Sequence, residues 1–210
     1  MSKYFSREKF RYLKRVLGHP ADSFYEIRYW ERGSVPLAIL CVILFSFCFT
    51  INRIYASFIV NNTNPLSVDG LAELSGVFVL FFLFCVGNWS VTCLMNGEGR
   101  FKDIVTVTGY SLLPLLLLYL PATLLSQFIA AGEEAFYFVI LGLGIGWAAV
   151  LLLMGIMTVH NYTLAKTLVT LLLTFIAMLL LIFIALLIYD LTNQVYVFFY
   201  SIYTELIFRY

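Results

Sequence analysis

The side chains able to do acid–base or metal chemistry in this 210-residue chain are few. They are the paired carboxylates of GEEAFYF, Glu133 and Glu134, and two histidines, His19 and His160. A glutamate pair at a membrane edge becomes a catalytic centre when a basic residue and histidines converge on it. Here Phe138 occupies the place where an arginine four residues on would steady such a pair, and no histidine-bearing helix follows. His19 precedes a proline in a polar turn, His160 stands beside Asn161, and neither belongs to an HExxH pattern. Gly142–Gly146 reads GLGIG, but it lies inside an apolar run with no strand before it, so it is no phosphate loop. Its Gly142/Gly146 spacing is instead GxxxG, predicted to let helices approach closely in lipid. Cys41, Cys48, Cys85 and Cys93 all fall in apolar runs without CxxC spacing and are expected to act as small buried hydrophobes. No catalytic residue, metal site or cofactor site is expected, and a non-enzymatic role follows as the working expectation.

The elements that carry these residues are set by composition. The chain is 62% hydrophobic and 12% charged, whereas an average soluble domain is about 45–50% apolar and about 25% charged. Surface so apolar needs lipid around it. Spanning helices need about 20 mainly apolar residues, and five runs qualify: 34–51, 71–95, 104–131, 135–160 and 163–189. A further stretch, 195–208, is short, aromatic and carries Glu205, and is predicted to lie along the interface. The expected fold class is all-α: a polytopic membrane protein of about five transmembrane helices preceded by interfacial amphipathic helices. Its expected organisation is an interfacial segment over 1–33, a transmembrane domain over 34–190 and an aromatic C-terminal helix over 191–210.

Charge placement orients these spans. Eleven of the thirteen basic residues fall on one side: Lys3, Arg7, Lys9, Arg11, Lys14, Arg15, Arg28 and Arg32 before the first span, Arg100 and Lys102 after the second, and Lys166 after the fourth. Only Arg53 and Arg209 fall on the other. By the positive-inside rule the N-terminus is cytoplasmic and, with five spans, the C-terminus lies outside or in a lumen. The first thirty residues are charged and aromatic and are not expected to act as a cleaved signal peptide. The net charge of +1 gives no polyanion signature, so no nucleic-acid partner is expected.

Within KYFSREKFRYLKRVLG, Phe10, Leu13 and Leu17 recur at helical spacing. Lys3, Arg7, Lys9, Arg11, Lys14 and Arg15 surround them as a predicted lipid-facing set, each adding about 1 kcal/mol of attraction to an anionic surface. After His19-Pro20, the spacing of Ser23 and Glu26 matches a capping box, and Phe24, Ile27 and Trp30 are predicted to seat a second short helix against the membrane.

The polar stretch NGEGRFKDIVTVTGYSLLP, 96–114, interrupts the apolar runs. Gly97 and Gly99 permit a tight reversal, and Arg100 and Lys102 anchor it at headgroups. Pro114 removes a backbone donor and is predicted to bend the third span, with Tyr110 and Asn88 as candidates to meet the freed carbonyl. Asn88-Trp89, the Gly97-x-Gly99 turn, Phe101 in FKDI, then Gly109, Tyr110 and Pro114 in GYSLLP, with His19 and Pro20 in HPADSFYEI upstream, resemble the Yip family of multispan membrane proteins from His19 to about Tyr189. The chain has no long polar segment before the first span and shows HPADSF where longer members carry a DLYGP-like element. It therefore resembles the short bacterial members, which implies a bacterial plasma membrane with the C-terminus outside. The resemblance implies a protein whose partners are membrane lipids and other integral membrane proteins, which it binds and organises. The alternative expectation is an accessory subunit or small permease of a transport system such as an ABC-type importer, with Asn88, Trp89, Thr106, Thr108, Tyr110, Ser111 and Gln127 as the polar residues that enter spans.

Overall fold

In lipid a chain must satisfy its backbone polar groups internally, and the helix is the form in which a single segment does so. The structure, a computed structural model, describes residues 7–208, with side chains from Tyr12 onward. Among the described residues there are eight α-helices and no strand: α1 (Arg7–Gly18), α2 (Pro20–Trp30), α3 (Val35–Tyr55), α4 (Gly70–Leu94), α5 (Phe101–Ser111), α6 (Leu113–Ser126), α7 (Glu134–His160) and α8 (Leu164–Phe208). Five stretches are long and apolar enough to cross a membrane: α3, α4, α5 with α6, α7 and α8. The expected all-α, five-span architecture is what the chain adopts.

The third crossing is two helices. α5 ends at Ser111 and α6 opens at Leu113, with Pro114 in its first turn, where a missing N–H costs nothing. The predicted bend is thus a break, tightened by Leu112 N–H on the Gly109 carbonyl at 3.3 Å. Neither residue proposed to meet a freed carbonyl does so. The Tyr110 hydroxyl bonds the Ser34 backbone, and Asn88 donates to Thr174.

α5 is the centre of the bundle. Every residue from Ile104 to Ser111 is buried, enclosed by α2, α3, α4 and α7. Its hydroxyls are satisfied within the helix: Thr106, Thr108 and Ser111 donate to carbonyls four residues back. Glycines let the neighbours close in. A Cβ at Gly109 would lie 2.7 Å from both the Cβ and the carbonyl oxygen of Ala38 on α3. Gly155 on α7 likewise faces Val107 and Phe24. No helix of the chain itself packs on Gly142 and Gly146: both are exposed, with no atom within 4 Å of an added Cβ. The buried face of α7 runs through Gly144, Ala148, Leu151, Gly155 and Val159, a helical register that leaves 142 and 146 facing outward.

α1 and α2 also depart from expectation. Tyr12 and Val16 of α1 are buried, with Leu13 and Leu17 packed on the same core. Phe24 and Ile27 of α2 are fully buried in the bundle instead of in lipid, and of the three predicted residues Trp30 alone projects, 60% exposed. Ser23 and Glu26 form no capping box, because α2 already begins at Pro20 and both are buried within it. Glu26 is instead held between Arg15 at 3.0 Å and Arg32 at 2.9 Å, so Arg15 is turned toward a carboxylate as well as toward the surface. Burial first, and then the Glu26 charge, push the Tyr12 phenol above its ordinary value. Lys14 is exposed, while Lys3 and the side chains of Arg7, Lys9 and Arg11 lie outside the described residues.

At the opposite end a second polar knot ties three helices. Asn52 of α3 donates to Thr123 of α6 at 2.8 Å and accepts from the Tyr137 hydroxyl of α7 at 3.0 Å. α8 stands apart from the rest. It packs on α4 through Thr167, Thr170 and Thr174 and is otherwise almost wholly exposed. It runs unbroken through the expected boundary at 190. No glycine or proline interrupts it, and the polar residues there turn back on the same helix, Gln194 to Asp190 at 2.8 Å and Thr192 to the Ile188 carbonyl at 2.7 Å.

Candidate functional site

The polar residues of the chain concentrate on one face of the bundle, which carries α1, α2, the 95–100 turn and the α7–α8 turn. The turn is built by its glycines. Asn96 and Asn161 both take the left-handed conformation that ends a helix without glycine. Between them, a Cβ on Gly97 would meet His160 Nδ1 at 2.5 Å and the Tyr162 hydroxyl at 2.8 Å. One on Gly99 would meet Val159 Cγ1 at 2.5 Å. The reversal is therefore pressed directly onto the end of α7. Gly99 N–H donates to His160 Nδ1 at 3.2 Å, and the Tyr162 hydroxyl donates to the Met95 carbonyl at 3.1 Å. Accepting at Nδ1 places the neutral-imidazole proton on Nε2, which is buried with no protein partner. His160 and Tyr162 stack with centroids 5.4 Å apart, and Lys166 Nζ lies 4.0 Å over the Tyr162 ring.

Beside this clamp lies an ionic network. Asp103, in the first turn of α5 and buried, accepts from Arg100 Nε at 2.9 Å, from the Arg100 backbone N–H at 3.3 Å and from Arg28 Nη1 at 3.5 Å. A carboxylate there also complements the positive end of the helix. Arg28 reaches further, donating to the Glu98 carbonyl. Thus α2, the turn and α5 are joined through two side chains. On the outer rim Glu31 takes Arg100 Nη1 at 2.7 Å and Lys102 Nζ at 2.9 Å. The Lys102 hydrogen bond, and then that of Arg100, hold its carboxyl below the usual carboxylate range. The ion pairs consequently persist above that range, and they are lost only as the pH falls through the depressed value.

The predicted residues divide between this site and the scaffold. Gly97, Gly99 and Phe101 belong to the site; Phe101 sets its ring edge-on to Trp89 at 5.9 Å. Gly109 and Tyr110 lie deeper and fix α5 to α3. His19 and Pro20 only turn α1 into α2, His19 being exposed at the N-cap without a side-chain bond. Asn88 is fully buried on α4 and donates to Thr174 at 3.1 Å, while its Oδ1 has no protein partner. Sequence reasoning passed over Asp103, Arg28 and Glu31 as site members. The available signal was Asp103 standing three residues after Arg100 at the head of an apolar run, a capping spacing. Among the described residues no group of three metal-ligating side chains occurs.

No curated protein and no solved structure matches the chain. The family comparison does reach it. The Yip1 domain matches residues 14–187, from within α1 through the part of α8 that packs on α4, and so takes in the 95–100 turn, Asp103 and the residues that meet them. The chain belongs to the Yip1 domain family.

Proposed function

We propose that this integral membrane protein works without catalysis, by binding and organising other membrane proteins within the bilayer. One observation carries the reading: α8, 45 residues long, buries only three threonines against its own bundle and leaves an apolar flank open along nearly its whole length. Small and hydroxyl-bearing faces mate inside the chain, whereas the flank of α8 is free to mate with helices of other proteins. Photo-crosslinking from Phe183 or Leu186 in native membranes, followed by extraction in mild detergent and mass spectrometry, is expected to trap distinct integral membrane proteins. Recovery of the uncrosslinked monomer alone, at full crosslinker incorporation, defeats the reading.

The proposal includes orientation: the face bearing Arg28, Arg100 and Lys102 is cytoplasmic, in a bacterial plasma membrane. With Cys93 replaced by serine, an impermeant thiol reagent applied outside is expected to label Asn62→Cys and to miss Glu98→Cys. Both positions are exposed in the fold. The opposite labelling pattern reverses the topology.

A transport role, as an importer's accessory subunit or a small permease, is the second reading. It draws on the unpartnered Asn88 Oδ1 between α4 and α8. Solute flux in reconstituted vesicles that Asn88→Ala abolishes would favour it over the adaptor role.

A further inference from the structure

Arg100 and Lys102 point their cationic ends at the same atom. Arg100 Nη1 lies 2.7 Å and Lys102 Nζ 2.9 Å from Oε1 of Glu31, so two charges share one oxygen. The three side chains are 41%, 49% and 60% exposed, unlike the buried Asp103 that fixes the other edge of Arg100. Glu31 reaches them from the left-handed residue that ends α2, at φ 50°, a conformation a non-glycine side chain seldom takes. Alongside, Trp30 is exposed with the Arg32 guanidinium 4.9 Å over its ring, and Tyr25 and Tyr29 pair at 4.4 Å. Exposed tryptophan and tyrosine at the end of a spanning bundle mark headgroup depth. The seat therefore lies where lipid phosphates lie.

We propose that Arg100 and Lys102 form a seat for the phosphate of an anionic phospholipid headgroup, and that Glu31 is its built-in competitor. A phosphodiester presents two unesterified oxygens, one for each cation, where Glu31 offers a single shared atom; phosphatidylcholine sets a quaternary ammonium beside its phosphate that the two cations repel, so the seat prefers a net-anionic headgroup. Binding swings the exposed carboxylate aside and leaves Asp103 on Arg28 and on the inner edge of Arg100, so the fold beneath is undisturbed. No covalent step is involved. The seat is distinct from the N-terminal basic residues, and it stands independently of the adaptor reading because its ligand is lipid and its readout does not involve protein partners.

The experiment is native mass spectrometry of the full chain from nanodiscs of phosphatidylcholine and phosphatidylglycerol at equal mole fraction. Removing one opposing charge at the surface is worth about a fivefold change in affinity. Glu31→Gln is thus expected to raise the ratio of retained phosphatidylglycerol to phosphatidylcholine by about fivefold. Adding Lys102→Gln to that variant is expected to return the ratio to the wild-type value or below. Inorganic phosphate at millimolar concentration is expected to leave the retained lipid in place. If it displaces phosphatidylglycerol, the seat belongs to soluble phosphate and the lipid assignment falls. An unchanged or lowered ratio in Glu31→Gln shows that the carboxylate only braces the fold and overturns the proposal. Should that variant fail to fold, Lys102→Gln alone must lower the wild-type ratio, and no change there overturns it equally.

Discussion

Gly109→Ala is expected to collapse the stability of the bundle, by about 3 kcal/mol or more, at or beyond the upper end of ordinary overpacking. The added Cβ would stand 2.7 Å from the Ala38 Cβ and, more seriously, 2.7 Å from the Ala38 carbonyl oxygen. A flexible side chain gives way at modest cost, but a helix backbone moves only if α3 and α5 separate. That separation pulls Tyr110 from the Ser34 backbone, where its hydroxyl accepts from the N–H at 3.1 Å and donates to the carbonyl at 3.4 Å. It also opens the core around Leu37, Ala38 and Cys41, all buried. Thermal unfolding in detergent, followed by tryptophan fluorescence, provides the measurement. Gly142→Ala is its control, because that position has no neighbour within 4 Å. Equal melting temperatures for the two variants would show that the α3–α5 approach is not as close as described.

Asp103→Ala should come next in severity. Removing one partner of a buried ion pair leaves the other charge desolvated, at about 3–5 kcal/mol. Arg28 is 19% exposed and Arg100 41%, which moves the expected loss toward the lower end of that range. The damage is also local: α5 loses the acceptor of its first turn, and α2 loses its tie to that helix. Hydrogen exchange should therefore rise at 96–101 and across the end of α2 before it rises at the Asn52–Thr123–Tyr137 knot. The double variant Arg28→Ala/Asp103→Ala should recover part of the loss, since it buries no orphan charge. Strict additivity of the two single losses would mean that Arg28 and Asp103 do not interact.

Much of this arrangement is legible before folding. Apolar runs long enough to cross a membrane have few other fates, so the spans follow from hydropathy, and the Gly97/Gly99 reversal follows from glycine's freedom at a tight turn. What lies beyond is harder for specific reasons. The faces of α1 and α2 are amphipathic, and an amphipathic face fits a lipid surface or a bundle mouth equally well. Phe24 finds Gly155 only because the two helices meet in space, some 130 positions apart in sequence. GxxxG at Gly142/Gly146 is a pattern of spacing, and spacing does not say which side of α7 faces inward. The charges of 96–103 were readable as headgroup anchors, but the choice of Glu31 and Arg28 as partners spans about seventy residues. The uninterrupted course of α8 was hidden by the polar residues 190–194, which suggest a stop yet contain no residue that breaks a helix.

The gap at Leu112 gives the two halves of the third crossing separate surroundings. On the basic side α5 is pinned on every flank and braced by the Arg28–Asp103 tie. On the other side α6, with Pro121 within it, packs along α7 and α3, and Asn52 of α3 holds its Thr123. One crossing thereby serves two sets of neighbours, and the half that meets α7 and α3 is placed independently of the loop that meets His160.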